Sequence, residues 1–266
     1  TCAMFTYNDI DPIALQLGPL AVRWYGLMYV IGILGGWWLG RVQAQRPWSQ
    51  ITVQQVDDMV TWIALGVILG GRVGSVLFYN FGEFLGDPLM LFRIWEGGMS
   101  FHGGFLGVLI AMAWYGRSIG VSFWTLTDFV APLVTIGLGA GRIGNYINGE
   151  LWGKVTDVPW AVVVNGTPRH ASQLYEAFLE GLVLFIVLWT FASRERPRMA
   201  VSAMFLLFYG IFRFGVELVR IPDAHIGYIA WGWFTQGQLL TAPMIVSGII
   251  LLLLAYHKPV YAVSKT

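Results

Sequence analysis

Long apolar runs separated by short polar connections dominate the chain. Seven segments, at about 20–40, 58–79, 99–116, 124–147, 174–192, 199–219 and 237–256, approach or reach the roughly 20 residues a membrane-spanning helix needs. A backbone in lipid must satisfy its own hydrogen bonds, so these segments are expected as helices. An odd number of spans places the two termini on opposite sides. One set of connections holds Arg41, Arg46, Arg117, Arg194, Arg196, Arg198, Lys258 and Lys265. The other set is longer and holds only Arg23, Arg93, Lys154, Arg169 and Arg220. Basic residues favour the cytoplasmic side, so the N-terminus is expected outside and the C-terminus inside. The polar start around Asn8, Asp9 and Asp11 lacks a basic region, so no cleavable signal peptide is expected.

Two outer connections are more than turns. Residues 80–98 include PLMLFRIWEGG and are expected to lie in the interface as an amphipathic arm anchored by Trp95. Residues 148–173 are polar enough for a small external cap. Small residues recur at helical spacing, as Gly32/Gly36, Gly66/Gly70/Gly74, Gly103/Gly107 and Gly137/Gly141, a pattern that lets helices pack closely in lipid. The whole of 1–266 therefore reads as a single membrane domain of the all-α class.

Composition agrees with the pattern. Hydrophobic residues make up 56% of the chain and charged residues 12%, against about 25% charged in soluble domains. No basic run suggests a nucleic-acid partner. The only cysteine, Cys2, excludes an intrachain disulfide, and the four histidines lack metal-ligand spacing, so neither metal nor cofactor is expected.

The orientation brings the unusual polar residues to one depth, in the outer leaflet. These are Tyr25, Arg72, His102, Arg142, Asn145, Glu150, His170, Gln173, Glu176, Arg213, Glu217 and Arg220. An arginine at a span centre costs roughly 2.5–3.5 kcal/mol, and less toward the interface. Arg213 and Glu217 share a helix face and can pair, and Arg142, Asn145 and Gly149 share a face by the same spacing. Internal neutralisation accounts for any one arginine. A convergence of this size also suits a polar cavity for an anionic head group, because the guanidinium fork matches phosphate. The GAGRIG stretch at 139–144 is formally a dinucleotide fingerprint, but it lacks the strand and βαβ unit that motif requires. Its glycines instead let a helix or lipid approach near Arg142. His102, flanked by glycines, is the one histidine in a predicted span and a candidate general base. His170 is expected to orient the cap.

HGGFLG at 102–107, GAGRIGNYINGELWG at 139–153, HASQLYE at 170–176 and YGIFRFGVELVRIPD at 209–223 resemble the bacterial prolipoprotein diacylglyceryl transferases. RWYGLMY at 23–29 and GGRVGSVLFYN at 70–80 are similar to that family too, so the resemblance runs from first span to last. Tyr146 stands where a phenylalanine is usual, Ala171 where a proline is common, and the segment between Gly153 and His170 is shorter than in some members.

The resemblance implies a multi-pass protein of the bacterial inner membrane with its active site toward the periplasmic leaflet. It implies transfer of the diacylglyceryl group of phosphatidylglycerol to the lipobox cysteine in a preprolipoprotein signal peptide. A thioether forms and glycerol-1-phosphate leaves, the first step of lipoprotein maturation. The expected catalytic set is His102, Arg142, Arg213 and Glu150. The expected lipid-binding set is Tyr25, Arg72, Arg142, Asn145, Gly153, Tyr209, Arg213 and Glu217. Arg142 and Arg213 would grip the phosphate and His102 would take the thiol proton, although thiolate formation by the arginine field stays open. Glu150 and Glu217 would orient the arginines. A lipid or anion transporter would also explain buried arginines, but predicts repeats and a polar path to the inner face that the chain lacks. A purely structural subunit predicts charges that pair off and leave no cavity.

Overall fold

The structure is a computed structural model and describes residues 5–18, 20–93, 100–222 and 227–262. Cys2, Trp95 and the rest of 94–98 in the expected arm lie outside the described residues. Eight helices are used here: α1 Trp24–Ala44, α2 Val53–Tyr79, α3 Phe81–Gly86, α4 Phe101–Ser118, α5 Phe123–Ile147, α6 Ser172–Phe191, α7 Ala200–Glu217 and α8 Gln236–His257. Five of them, α2, α5, α6, α7 and α8, are long and apolar enough to cross a membrane. The chain is thus a mostly helical, multi-pass integral membrane protein. The other two expected spans fall on α1 and α4, helices of 21 and 18 residues. Residues 20–23, expected within the first span, instead form a strand.

Two compact units make up the chain, one of Gly40–Leu126 and one of Thr1–Leu39 with Thr127–Thr266. In the first, α2 begins at a capping box in which Thr52 and Gln55 satisfy each other's backbone N–H groups. α2 and α4 then pack glycine against glycine. A Cβ on Gly66 would lie 2.6 Å from the Gly107 carbonyl oxygen, and one on Gly74 would lie 2.7 Å from Gly103 Cα. The small-residue spacing seen in the sequence is therefore a helix–helix seam. Beyond α2, the described part of the expected arm is α3 followed by a 3-10 turn at Pro88–Phe92. Buried Arg72 donates to the carbonyls of Met90 and Leu91 and holds that turn against α2.

In the second unit, α5 is the organising helix. A Cβ on Gly32 of α1 would come within 2.9 Å of Gly137 Cα. Gly139 and Gly181 make the same close approach between α5 and α6, where a Cβ on Gly181 would lie 2.7 Å from Gly139 Cα. Asp128 of α5 accepts from Met199 N, Ser202 N and Ser202 Oγ at 2.7, 2.8 and 2.6 Å. It thereby caps the start of α7 from a neighbouring helix. Leu184, Leu188, Val201, Ala131 and Ala192 form the apolar core between these helices. On α8, a second capping box joins Thr235 and Gln238.

Short strands stand between the helices. β1 (Phe5–Thr6) pairs parallel with β4 (Val162–Val164), and β4 pairs antiparallel with β5 (Thr167–Arg169). β2 (Ile13–Leu17) pairs with β3 (Leu20–Arg23), and β6 (Tyr228–Ala230) with β7 (Phe234–Thr235). The expected cap at 148–173 therefore contains a hairpin, whose turn residues Asn165 and Gly166 both adopt positive φ. Asn-Gly is the dipeptide that such a turn selects.

Candidate active site

α5, α6 and α7 bring charged side chains to the same place, α5 an arginine, α6 two glutamates and α7 one of each sign. Arg142 comes from the last turns of α5, Glu176 and Glu180 from α6, and Arg213 and Glu217 from α7, with Arg220 just beyond it. Glu176 is fully buried. Its Oε2 lies 2.5 Å from Arg142 Nε, and its Oε1 lies 3.0 Å from Arg213 Nη1 and 2.5 Å from Arg220 Nη1. Glu217 Oε1 lies 2.8 Å from Arg213 Nη2 and 3.1 Å from Arg220 Nε. Three arginines from two regions of the chain thus converge on two carboxylates. The pairing of Arg213 with Glu217 foreseen from their spacing is present.

The network is not fully spent. Among the described residues Arg213 Nη1 finds no hydrogen-bond partner, although it approaches Glu176, and Glu176 Oε2 likewise accepts none. Glu180, also fully buried, has both oxygens without a hydrogen-bond partner among the described residues. It lies in the electrostatic field of Glu176, Arg213, Arg142 and Arg220. Buried polar atoms normally find hydrogen-bond partners, and here charge pairing takes that place for Arg213 and Glu176. The α6 backbone explains how two glutamates face one cluster. Residues Ala177–Val183 form a π-helical stretch, and such bulges re-aim side chains.

The neighbouring segments hold these charges in register. Gln173 donates to the Glu150 carbonyl, and Ser172 Oγ donates to Leu151 O at 2.9 Å, which fastens the chain after α5 onto the start of α6. Gly153 is needed for close approach: a Cβ there would lie 2.7 Å from Val219 O and 2.8 Å from His170 Cβ. Its N–H donates to His170 O at 2.8 Å, and it forms a β-bridge with Arg220. Gly237 leaves room for the Glu217 carboxylate, since a Cβ there would lie 2.5 Å from Glu217 Cδ. Thr235 Oγ1 then donates to Glu217 Oε2 at 2.9 Å, setting that carboxylate at the N-terminus of α8, where the helix dipole favours it.

The remaining sequence-predicted residues divide. Asn145 Nδ2 donates to Glu150 Oε2 at 3.3 Å, and Asn148 Nδ2 to Glu150 Oε1 at 3.1 Å. Glu150 is exposed and its carboxylate is held by these two amides, while buried Glu176 meets the arginines. Tyr25 packs on Gly144, where a Cβ would sit 2.8 Å from the ring, and stacks edge-on to Tyr29. Tyr209 lies in the field of Glu180, Arg213 and Arg142 and stacks on Phe205. His102 and Arg72 belong to the other unit. His102 is exposed in the first turn of α4. Arg72 donates to the backbone of the 88–92 turn. His170 lies at the end of the cap, with Nδ1 3.0 Å from the Tyr175 hydroxyl of α6. Glu180 is not among the residues the sequence points to; a glutamate in an apolar run four residues after another is the signal that marks it.

A family model described as prolipoprotein diacylglyceryl transferase matches residues 12–254. The chain belongs to that family. Among its relatives is the phosphatidylglycerol--prolipoprotein diacylglyceryl transferase of Methylococcus capsulatus, 61% identical over 259 residues that cover 96% of this chain and 99% of the relative. The protein of the same name from Pseudomonas paraeruginosa is 57% identical over 258 residues, 96% and 97% of the two chains. That from Pseudomonas fluorescens is 55% identical over 261 residues, 96% of each. The motifs quoted above for the resemblance all fall within or across the matched region. In the family's chain as it stands here, the stretches at 139–153, 170–176 and 209–223 supply the arginine–glutamate network.

Proposed function

We propose that this member of the family transfers the diacylglyceryl group of phosphatidylglycerol to a cysteine thiol of a prolipoprotein. The observation that carries the reading is the convergence of Arg142, Arg213 and Arg220 on buried Glu176. Fixed guanidinium charge, shielded from water and with a donor to spare, suits a phosphodiester that must become a leaving group. In the reaction, sulfur forms a bond to a glycerol carbon as that carbon's bond to the phosphate oxygen breaks. The electron pair goes to the phosphate, the thiol proton goes to a base, and glycerol phosphate leaves. A free thiol has a pKa of about 8.5, so a base or a strong positive field must generate the thiolate.

In this reading Arg142 and Arg213 grip the phosphate and stabilise the charge that develops on it. Glu176 and Glu217 hold the two forks in place. Asn145, with Glu150 behind it, meets the glycerol portion, while Tyr25 and Tyr209 line the approach and Gly153 keeps Arg220 in register. His102 is the proposed proton acceptor. The acceptor peptide is a signal peptide with its lipobox cysteine.

The same reading sets the protein in the bacterial inner membrane as one domain of seven spans, α1 and α4 with the five apolar helices. Basic residues at 41, 46, 117, 194, 196 and 198 support a cytoplasmic C-terminus and a periplasmic N-terminus. The hairpin-bearing cap at 148–173, the arm at 80–98 and the active site then face the periplasmic leaflet. The decisive experiment is incubation of purified protein in detergent with phosphatidylglycerol labelled in its diacylglycerol part and a lipobox peptide. Label appearing on the peptide thiol is the expected outcome, and an unlabelled peptide refutes the transferase reading.

A further inference from the structure

The side chain that closes the ion-pair network also opens on a second space. A cavity of about 480 Å³ lies between the β4–β5 hairpin and the chain just beyond α7, with Trp152, Asn165, Thr167, Arg169 and Arg220 in its wall. Arg220 belongs to both places, since its Nη1 and Nε bind Glu176 and Glu217. Arg169 donates from Nη1 to the Gly153 carbonyl at 3.3 Å, using one of the five N–H donors a guanidinium carries. One strand segment registers the two arginines, because Gly153 bridges to Arg220 and Val155 bridges to Arg169.

The proposed reaction changes the charge of what the cluster holds. A phosphodiester carries a single negative charge, whereas a phosphate monoester carries about −1.5 to −2 near neutral pH. A site that stabilises the leaving group therefore holds the product more tightly than the substrate. Release then becomes a step that needs its own path, and product release limits many enzymes. A path across apolar surface would strip a doubly charged group of its solvation. A path along guanidinium groups keeps it compensated throughout.

We propose that this cavity is a transit site for a small phosphate ester, the glycerol phosphate released by the transfer reaction, which passes from Arg142 and Arg213 to Arg220 and Arg169 on its way to water. The inference rests on the transferase reading. An intact lipid head group shares the chemistry, but the cavity wall comes from connecting segments rather than long apolar helices, so acyl chains have no helix face to lie along.

The test uses the full-length protein in detergent with phosphatidylglycerol, a lipobox peptide and added glycerol-1-phosphate as inhibitor. Arg169→Gln is expected to raise the inhibition constant for glycerol-1-phosphate at least fivefold while the KM for phosphatidylglycerol stays within twofold of wild type. Arg169→Lys should recover part of the inhibition, and Thr167→Val, which suits a strand, should weaken it about twofold should Arg169→Gln fail to fold. An unchanged inhibition constant in folded variants overturns the assignment. A KM for the lipid that rises in step overturns it too, giving the cavity to the lipid head group. Failure of the wild type to lipidate the peptide at all would instead remove the transferase reading.

Discussion

Arg142 Nε lies 2.5 Å from Oε2 of Glu176, a carboxylate with no exposure to solvent. The same carboxylate meets Arg213 and Arg220 through its other oxygen. Removing one partner of a buried ion pair leaves the rest uncompensated, at a cost of about 3–5 kcal/mol. Glu176→Gln is therefore expected to lower the melting temperature in detergent and to cut transfer activity at least a hundredfold. Glu180→Gln should differ, because neither Glu180 oxygen has a hydrogen bond to lose. It leaves the forks in place, so transfer activity and the KM for phosphatidylglycerol should stay close to wild type. Equal effects of the two substitutions would show that Glu176 does not organise the cluster.

Arg213 holds Glu217 through one terminal nitrogen and approaches Glu176 with the other, which makes no hydrogen bond. Lysine at this position keeps the charge and loses the fork. Arg213→Lys is expected to retain folding yet lose activity by about two orders of magnitude, the size associated with removing one stabilising donor. Wild-type turnover in this variant would mean that a point charge suffices.

His102 opens α4 after Ser100, whose side chain caps the helix at Gly103 N. A general base contributes about 10²- to 10⁴-fold, so His102→Gln should lower turnover by at least a hundredfold at pH 7 and steepen its dependence on pH as hydroxide takes over. Arg142→Ala should lose activity without that steepening. Full turnover of His102→Gln at pH 7 would leave the arginine field as the source of the thiolate.

The α2–α4 seam offers a purely structural prediction. A Cβ at Gly74 would meet Gly103 Cα at 2.7 Å, and Gly66 and Gly107 approach as closely. Such contacts are backbone to backbone and cannot be relieved by a rotamer change. Gly74→Val is expected to destabilise the protein by about 1–3 kcal/mol, read as a lower melting temperature in detergent. Gly82, with nothing within 4 Å of its added Cβ, serves as the control. Equal melting of the two variants would mean the seam yields more easily than its distances imply.

The seam and the helices themselves could be read from sequence because they depend on local spacing. Glycines every four residues mark α2 and α4, and Thr52-x-x-Gln55 and Thr235-x-x-Gln238 mark two helix starts. The pairing of Arg213 with Glu217 is of the same kind. Glu176 as the common partner is not local: α5, α6 and α7 must pack before Arg142 and Arg213 can meet it. Glu180 follows Glu176 by four residues, so the face they share is local, while the cluster that face meets is not. Asp128 was passed over for a similar reason, since it caps α7 rather than its own helix. The cap hairpin is local in the same way as the helix starts, since Val-Val-Val-Asn-Gly-Thr is a strand followed by its preferred turn.

The cap also carries a pH prediction. His170 lies ahead of α6, with its backbone fixed between Gly153 and Lys154 and its Nδ1 against Tyr175. Burial first, and then the Lys154 ammonium, push its imidazole below the ordinary value of 6.5. The folded protein therefore resists a proton that the unfolded chain accepts at about 6.5. The His170 contribution to stability is complete above that value. It is lost as pH falls from there toward the lower folded-state value, below which both states are protonated. Melting temperatures in detergent should drop as pH falls through and below about 6.5 more steeply in wild type than in His170→Gln, which cannot titrate. Identical slopes in the two proteins would show that the cap tolerates the imidazolium and that the acid response originates elsewhere.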